Sequence, residues 1–270
     1  MIKQTTFEYA RRGDTPLLLD LHHPGRDNPP LILFGYGGGF TKGCRTSPAN
    51  DLLVHGLCDA GFAVAIPDYR LNTSAQDIDA EALQQITRLA KRVKRQGWLL
   101  KPRLYGVGLF TACEDISEAL RFCQVNAARM GISGNTPNML GISAGGLAGN
   151  TLCYPPGVWR GQFAQPAAMV SLAAPVVYGW RIAPNGPPTW IIHGKRDRIL
   201  PSHDSEVTRQ QAHAVGANIT VTIPPNAPHI GIDKYITNTQ ANGGNRYFEN
   251  IVTFFKTHTM ESSATQSAGV

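Results

Sequence analysis

The chain has 270 residues, of which 42% are hydrophobic and 16% charged, enough apolar material for a core that needs no disulfide, metal or partner. This composition excludes a mostly disordered chain, and no apolar run approaches the ~20 residues of a membrane span. Against 19 Asp and Glu stand 25 Lys and Arg, so the net charge is +6, which argues for a nucleic-acid or membrane-surface partner only if the excess gathers on one face.

The first residues, Met1 to Glu8, lack the apolar core and cleavage site of a secretory signal. Five cysteines (Cys44, Cys58, Cys113, Cys123 and Cys153) form no CxxC pair and no zinc-spaced cluster, so they read as reduced thiols of a cytoplasmic protein. In chain order, short apolar runs at 17–21, 31–34, 62–66, 138–142, 168–172, 190–193 and 219–223 suit strands buried on both faces. Helical patterns alternate with them: 51–60 stopped by Gly61, a stretch opened by the capping-box form Thr111-Ala112-Cys113-Glu114 and stopped by Gly131, and 203–215 stopped by Gly216. Strand alternating with helix predicts an α/β class with a mostly parallel central sheet. No internal repeat and no linker divides the chain. The small, polar stretch 259–270 is expected to be a disordered tail.

Gly141-Ile142-Ser143-Ala144-Gly145-Gly146 joins a strand to a helix. G-x-S-x-G in that setting is a nucleophile elbow, a turn so tight that small residues must flank the serine it exposes. The bare motif also fits a glycine-rich turn that binds an anion or merely packs. A serine hydroxyl needs a base, and the base needs an acid to orient it. Asp197 follows the run 190–193 and His229 follows 219–223, both beyond strand ends, where open α/β sheets place their sites. Alone, Asp197 reads as a loop acid paired with Arg196 or Arg198, and His229 as an ordinary loop histidine. The order Ser, Asp, His and their shared placement make the triad the better reading. Directly after the second strand, Tyr36-Gly37-Gly38-Gly39-Phe40 brings unobstructed backbone amides that suit an oxyanion, each donor worth roughly 3 kcal/mol in the transition state. A phosphate cradle is the alternative, but the Lys-Ser/Thr of a P-loop is missing.

With these residues in place, the sequence resembles the α/β-hydrolase esterases and lipases, the group that includes hormone-sensitive-lipase-like carboxylesterases and the feruloyl or acetyl-xylan esterase-like branch. The matching segments, between about Phe7 and Phe255, are Tyr36 to Phe40 (similar to H-G-G-G-F), Asp68-Tyr69-Arg70-Leu71, Gly141 to Gly146, His193-Gly194 with Asp197, and His229. The resemblance implies an α/β-hydrolase fold with Ser143 as nucleophile, His229 as base, Asp197 as acid, and the amides of Gly38, Gly39 and Ala144 as oxyanion hole. It implies a serine carboxylesterase acting on short- to medium-chain or aryl esters, with a small-molecule ester as partner, no nucleic acid, and neither cofactor nor metal. A serine peptidase or amidase on the same fold and a non-catalytic ligand-binding member remain alternatives, and the oligomeric state is open, a homodimer included. Candidates for substrate contact are Tyr36, Phe40, Trp98 and Trp180. His193 reads as a structural, hydrogen-bonded residue rather than a catalytic one.

Two features depart from the family pattern. Tyr36 replaces the histidine that usually opens the glycine motif, so altered anchoring of that loop is expected. Leu71 and Glu114 are separated by 42 residues, so within a catalytic domain spanning 1–258 the segment 72–112 is an insertion after the third recognised strand. It contains its own helix, with Leu83, Ile86, Leu89, Ala90 and Val93 on one face and Gln84, Gln85, Arg88, Lys91, Arg92 and Arg95 on the other. The insert reads as a peripheral helix, as a lid or pocket wall built from Trp98, Leu99, Leu100, Tyr105 or Phe110, or as a basic surface for a partner. It carries seven basic residues and three acids, +4 of the chain's +6.

Overall fold

A computed structural model describes residues 1–267. Elements follow in chain order as β1 (Lys3–Arg12), β2 (Thr15–His23), β3 (Leu31–Gly35), α1 (Asp51–Asp59), β4 (Ala63–Pro67), α2 (Ala80–Arg95), α3 (Val107–Val125) and α4 (Ala127–Met130). Then come β5 (Asn138–Ile142), α5 (Ala144–Cys153), β6 (Met169–Leu172), β7 (Thr189–Ile192), α6 (His203–Val215), β8 (Ile219–Thr222), α7 (Ile232–Asn238) and α8 (Tyr247–Ser267).

The strands form one eight-stranded sheet in the order β1-β2-β4-β3-β5-β6-β7-β8. From β4 to β8 every pair is parallel, with Gly35 opposite Gly141, Gly141 opposite Ser171 and Ile192 opposite Thr222. The first two strands run antiparallel at one edge. The apolar runs are the central strands because β3 and β4 are buried along their whole length, with helices covering both faces. β1 has no such run. As an edge strand it buries only Tyr9, and Lys-Gln-Thr-Thr-Phe-Glu-Tyr-Ala-Arg-Arg offers only an intermittent apolar signal.

Helix α5 packs against β3, β5 and β6, α1 against β4, and α6 against β8. Helix α8 buries Tyr247, Ile251 and Phe255, four residues apart, and Phe255 meets Phe62 edge-on with ring centroids 6.2 Å apart. It continues as helix through much of the stretch expected to be a disordered tail, with no glycine or proline before Ser267, and residues 268–270 lie outside the described residues. Helix α3 begins five residues earlier than the Thr111 capping box suggests. Leu109 and Phe110 are buried by extending it, the Thr111 hydroxyl donates to the Val107 carbonyl within it, and Glu114 is engaged by Arg70 instead of a cap. Among the described residues no helix is long and apolar enough to cross a membrane.

The insert forms α2, whose first turn is capped by Asp79 accepting from the Ala82 amide at 2.8 Å. Ala82, Ile86 and Val93 face the body. Its two ends are clamped together. Arg70 donates to both Asp115 oxygens and to Glu114 at 2.7–3.2 Å, and Arg12 reaches the same fully buried Asp115. Farther along, Trp159 Nε1 donates to Gln85, and the amides of Leu99 and Leu100 donate to the buried Asp204 carboxylate.

Candidate active site

In the order β4-β3-β5 the chain's path across the sheet reverses at β3, so the loops leaving the carboxyl ends of β3 and β5 open a crevice between them. Ser143 follows β5 directly with φ +52° and ψ −112°, a conformation that costs a non-glycine residue about 1–3 kcal/mol. Surrounding hydrogen bonds impose it. The Ser143 amide donates to the Leu172 carbonyl at 2.8 Å, the Leu147 amide donates to the Ser143 carbonyl at 2.8 Å, and the Gly145 amide donates to the Tyr36 carbonyl at 3.1 Å. Position 145 must be glycine, because a Cβ there would overlap the Gly35 carbonyl where α5 crosses β3.

His229 reaches Ser143 from the loop after β8, with Nε2 3.0 Å from the serine Oγ. Its Nδ1 lies 2.6 Å from Asp197 Oδ2, in the loop after β7. An ionised carboxylate only accepts, so Nδ1 carries the proton and Nε2 offers its lone pair to the Ser143 hydroxyl. Asp197 Oδ1 accepts from the Ile199 and Leu200 amides, both at 2.8 Å. Burial pushes the Asp197 carboxyl up, but hydrogen bonds from His193, His229 and Leu200 outweigh it and hold the group well below the usual carboxylate range. The aspartate therefore turns inward to two histidines rather than outward to Arg196 or Arg198.

His193, at the end of β7, is fully buried. Its Nε2 faces Asp197 Oδ2 at 3.1 Å and the Leu200 carbonyl at 2.8 Å, two acceptors, so that nitrogen is protonated. Its Nδ1 accepts from the Ser205 hydroxyl at 2.7 Å. This is the hydrogen-bonded histidine expected from sequence, now with its contact to Asp197. Ser205 carried no sequence signal, since it lies on a separate helix that only the fold brings near.

The glycine loop also approaches the serine, where a Cβ on Gly37 would stand 3.5 Å from the Ser143 Cβ. Gly38 has φ +134°, and its carbonyl accepts from the Thr41 and Lys42 amides, both at 3.2 Å. A side chain there would overlap the Lys42 carbonyl. The amides of Gly38, Gly39 and Ala144 donate to no group among the described residues. Tyr36 is buried and stacks on Tyr69, ring centroids 4.4 Å apart. The Tyr69 hydroxyl donates to the Tyr36 carbonyl at 2.9 Å, and the Tyr36 hydroxyl accepts from the Tyr69 amide at 3.4 Å. Two tyrosines thus anchor the loop, and burial pushes the Tyr36 phenol above its ordinary range.

A cavity of about 560 Å³ opens on Ser143 and His229, with Tyr36 and the three glycines on its wall. Of the other expected substrate contacts, none lies on this wall. Phe40 is buried beneath the loop, its ring edge-on to Tyr69 at 6.4 Å and its Cβ against Gly108. Trp98 donates to Gln96 within the insert and packs its ring against Gly179 of the body, and Trp180 lies under the Arg92 guanidinium at 4.3 Å, so both tryptophans join the insert to the body. The insert does reach the cavity, through Lys101, Arg103 and Leu104 rather than through its bulky apolar residues. Bulk alone was the sequence signal there, and burial claimed Leu100, Tyr105 and Phe110 while Leu99 stayed exposed. Lys42, Cys44, Ile199 and Leu200 also line the wall and were not singled out from sequence, since loop packing places them. Among the described residues no group of three His, Cys, Asp or Glu side chains is placed to hold a metal ion.

No family model and no curated protein matches this sequence. Solved structures do match in shape. Esterase 2 of the planctomycete Thermogutta terrifontis, bound to propionate, superposes with a TM-score of 0.67 at 16% identity, covering 96% of this chain and 94% of that one. The same esterase phosphorylated by paraoxon gives 0.67 at 15% identity, again covering 96% and 94%. Its apo form gives 0.67 at 16% with the same coverage. At such identity the likeness is one of fold, and together with the mostly parallel eight-stranded sheet it shows that this chain has the α/β-hydrolase fold.

Proposed function

We propose that the chain is a serine esterase that hydrolyses small carboxylic esters, in the short- to medium-chain or aryl range, through an acyl-enzyme on Ser143. The observation that carries this reading is the continuous chain from Ser143 Oγ through His229 to Asp197, at 3.0 and 2.6 Å, opening on one cavity. His229 Nε2 takes the serine proton as Oγ attacks the ester carbonyl carbon, and then gives that proton to the departing alcohol oxygen. Water attacks the acyl-serine with the same histidine as base, which releases the acid and restores the hydroxyl. The amides of Gly38, Gly39 and Ala144 meet the oxyanion in both halves. Asp197, held ionised, keeps Nδ1 protonated and stabilises the imidazolium. The Thermogutta esterase, in its propionate, butyrate and paraoxon-treated states, supports ester chemistry on this fold.

The test is a panel of 4-nitrophenyl esters of increasing acyl length, with feruloyl and acetyl-sugar esters and a nitroanilide as amide control, on the wild type and Ser143→Ala. Turnover of the shorter or aryl esters is expected, with kcat/KM lowered at least ~10³-fold in the variant. A wild type inert on every ester removes the esterase reading. A variant as active as the wild type removes the site assignment.

A further inference from the structure

The cavity wall is unevenly charged. Lys42, Lys101 and Arg103 line it, against a single carboxylate, Asp233, at the start of α7. The three cations are exposed, and none makes a side-chain ion pair or hydrogen bond among the described residues. Other arginines near the sheet behave differently: Arg45 pairs with Asp20 and Asp68, and Arg70 pairs with Glu114 and Asp115. Arg103 is also close to the glycine loop. Its Nη1 lies 3.3 Å from where a Cβ on Gly39 would stand.

Its backbone is held rather than loose. The turn Pro102–Leu104 starts with a proline, and the Leu104 amide donates to the Lys101 carbonyl at 2.9 Å. The preceding amides of Leu99 and Leu100 are fixed on Asp204. A fixed turn thus presents Lys101 and Arg103 to the cavity from one side, while Lys42 approaches from the glycine loop.

Resting on the esterase reading above, we propose that the preferred substrates are esters that carry a carboxylate, received by Arg103 with Lys101 and Lys42. A guanidinium without a partner matches a carboxylate in a two-bonded fork, and two ammonium groups nearby add attraction without fixing geometry. A cluster of like charge at a cavity mouth also draws anions inward. The charge sits on the wall beside Gly39, so the substrate carboxylate lies a few bonds from the scissile carbonyl, on its acyl or its alcohol side.

The experiment measures kcat/KM for two matched pairs at constant pH and low salt. Mono-4-nitrophenyl adipate against 4-nitrophenyl hexanoate places the carboxylate on the acyl side. The second pair, 4-acetoxybenzoate against its methyl ester, places it on the alcohol side. Each anionic-to-neutral ratio is compared among the wild type, Arg103→Gln, Lys42→Gln/Lys101→Gln and Arg88→Gln, a control on the exposed face of α2; the comparison cancels intrinsic reactivity. In one arm Arg103→Gln is expected to lower the ratio about tenfold, mostly through KM, with a smaller drop in the lysine pair and none in the control. Raising NaCl to 0.5 M is expected to compress the wild-type ratio. Ratios within twofold of wild type in every variant and both arms, with neutral esters still hydrolysed, overturn the proposal and leave the esterase reading intact. A drop as large in the control overturns it too. Failure of the wild type on all four esters removes the esterase reading and this inference with it.

Discussion

At the level of single residues, the site turns on Asp197. Its two oxygens accept from two backbone amides and two histidines, so the carboxylate can neither rotate nor turn toward the basic residues on either side of it. Replacing it with asparagine leaves one oxygen to accept and puts an amide where His229 must donate, so the imidazole is driven to the wrong tautomer. Asp197→Asn is expected to lower kcat about 10³–10⁴-fold in a nitrophenyl ester assay. Because the folded value lies below the ordinary ~3.9, the aspartate stabilises the native state above that pH, and the contribution is lost as pH falls through the folded value. Urea midpoints of wild type and variant should therefore differ by a constant amount above about pH 5 and draw together as pH falls from about 4 toward the folded value. A gap that stays constant through that fall would contradict the assignment. That Ser143, Asp197 and His229 converge was legible in sequence because each follows an apolar run that becomes a strand. Tyr36 was legible as a departure but not as a partner of Tyr69, 33 positions away.

At the level of elements, the insertion is a clamped segment that contributes a wall. Arg70 and Asp115 flank it and meet at 2.9 Å, so its entry and exit are fastened at one point. Its amphipathic helix was readable from spacing, since Ile86 and Val93 are buried as the pattern requires. What it does at the site was not readable, because Leu100, Tyr105 and Phe110 are buried in docking and Leu99 is exposed away from the cavity wall. Arg70→Met leaves the buried Asp115 to Arg12 alone and is expected to cost about 3 kcal/mol in urea unfolding at pH 7. A loss under 1 kcal/mol would mean that the clamp does not hold the insert. The edge strand β1 and the helices α7 and α8 escaped the sequence reading for a shared reason. An edge strand buries little, a short helix shows barely two turns of pattern, and the apolar face of α8 is diluted by a long polar extension.

At the level of the whole molecule, the +6 divides. Part of the insert's excess covers the outer face of α2, where Arg92 stacks on Trp180, and part reaches the cavity as Lys101 and Arg103. The proposed reacting groups come from loops after β3, β5, β7 and β8, strands that are not all neighbours, so the native sheet alone brings them together. A serine activated this way should react with an organophosphate only while the chain is folded. The direct measurement is to treat the protein with paraoxon and locate the added mass by peptide mapping. The expected result is one diethylphosphoryl group per native chain, on Ser143, with esterase activity lost in step and no labelling in urea. Label on another residue, or full activity in a chain fully labelled at Ser143, would contradict the account.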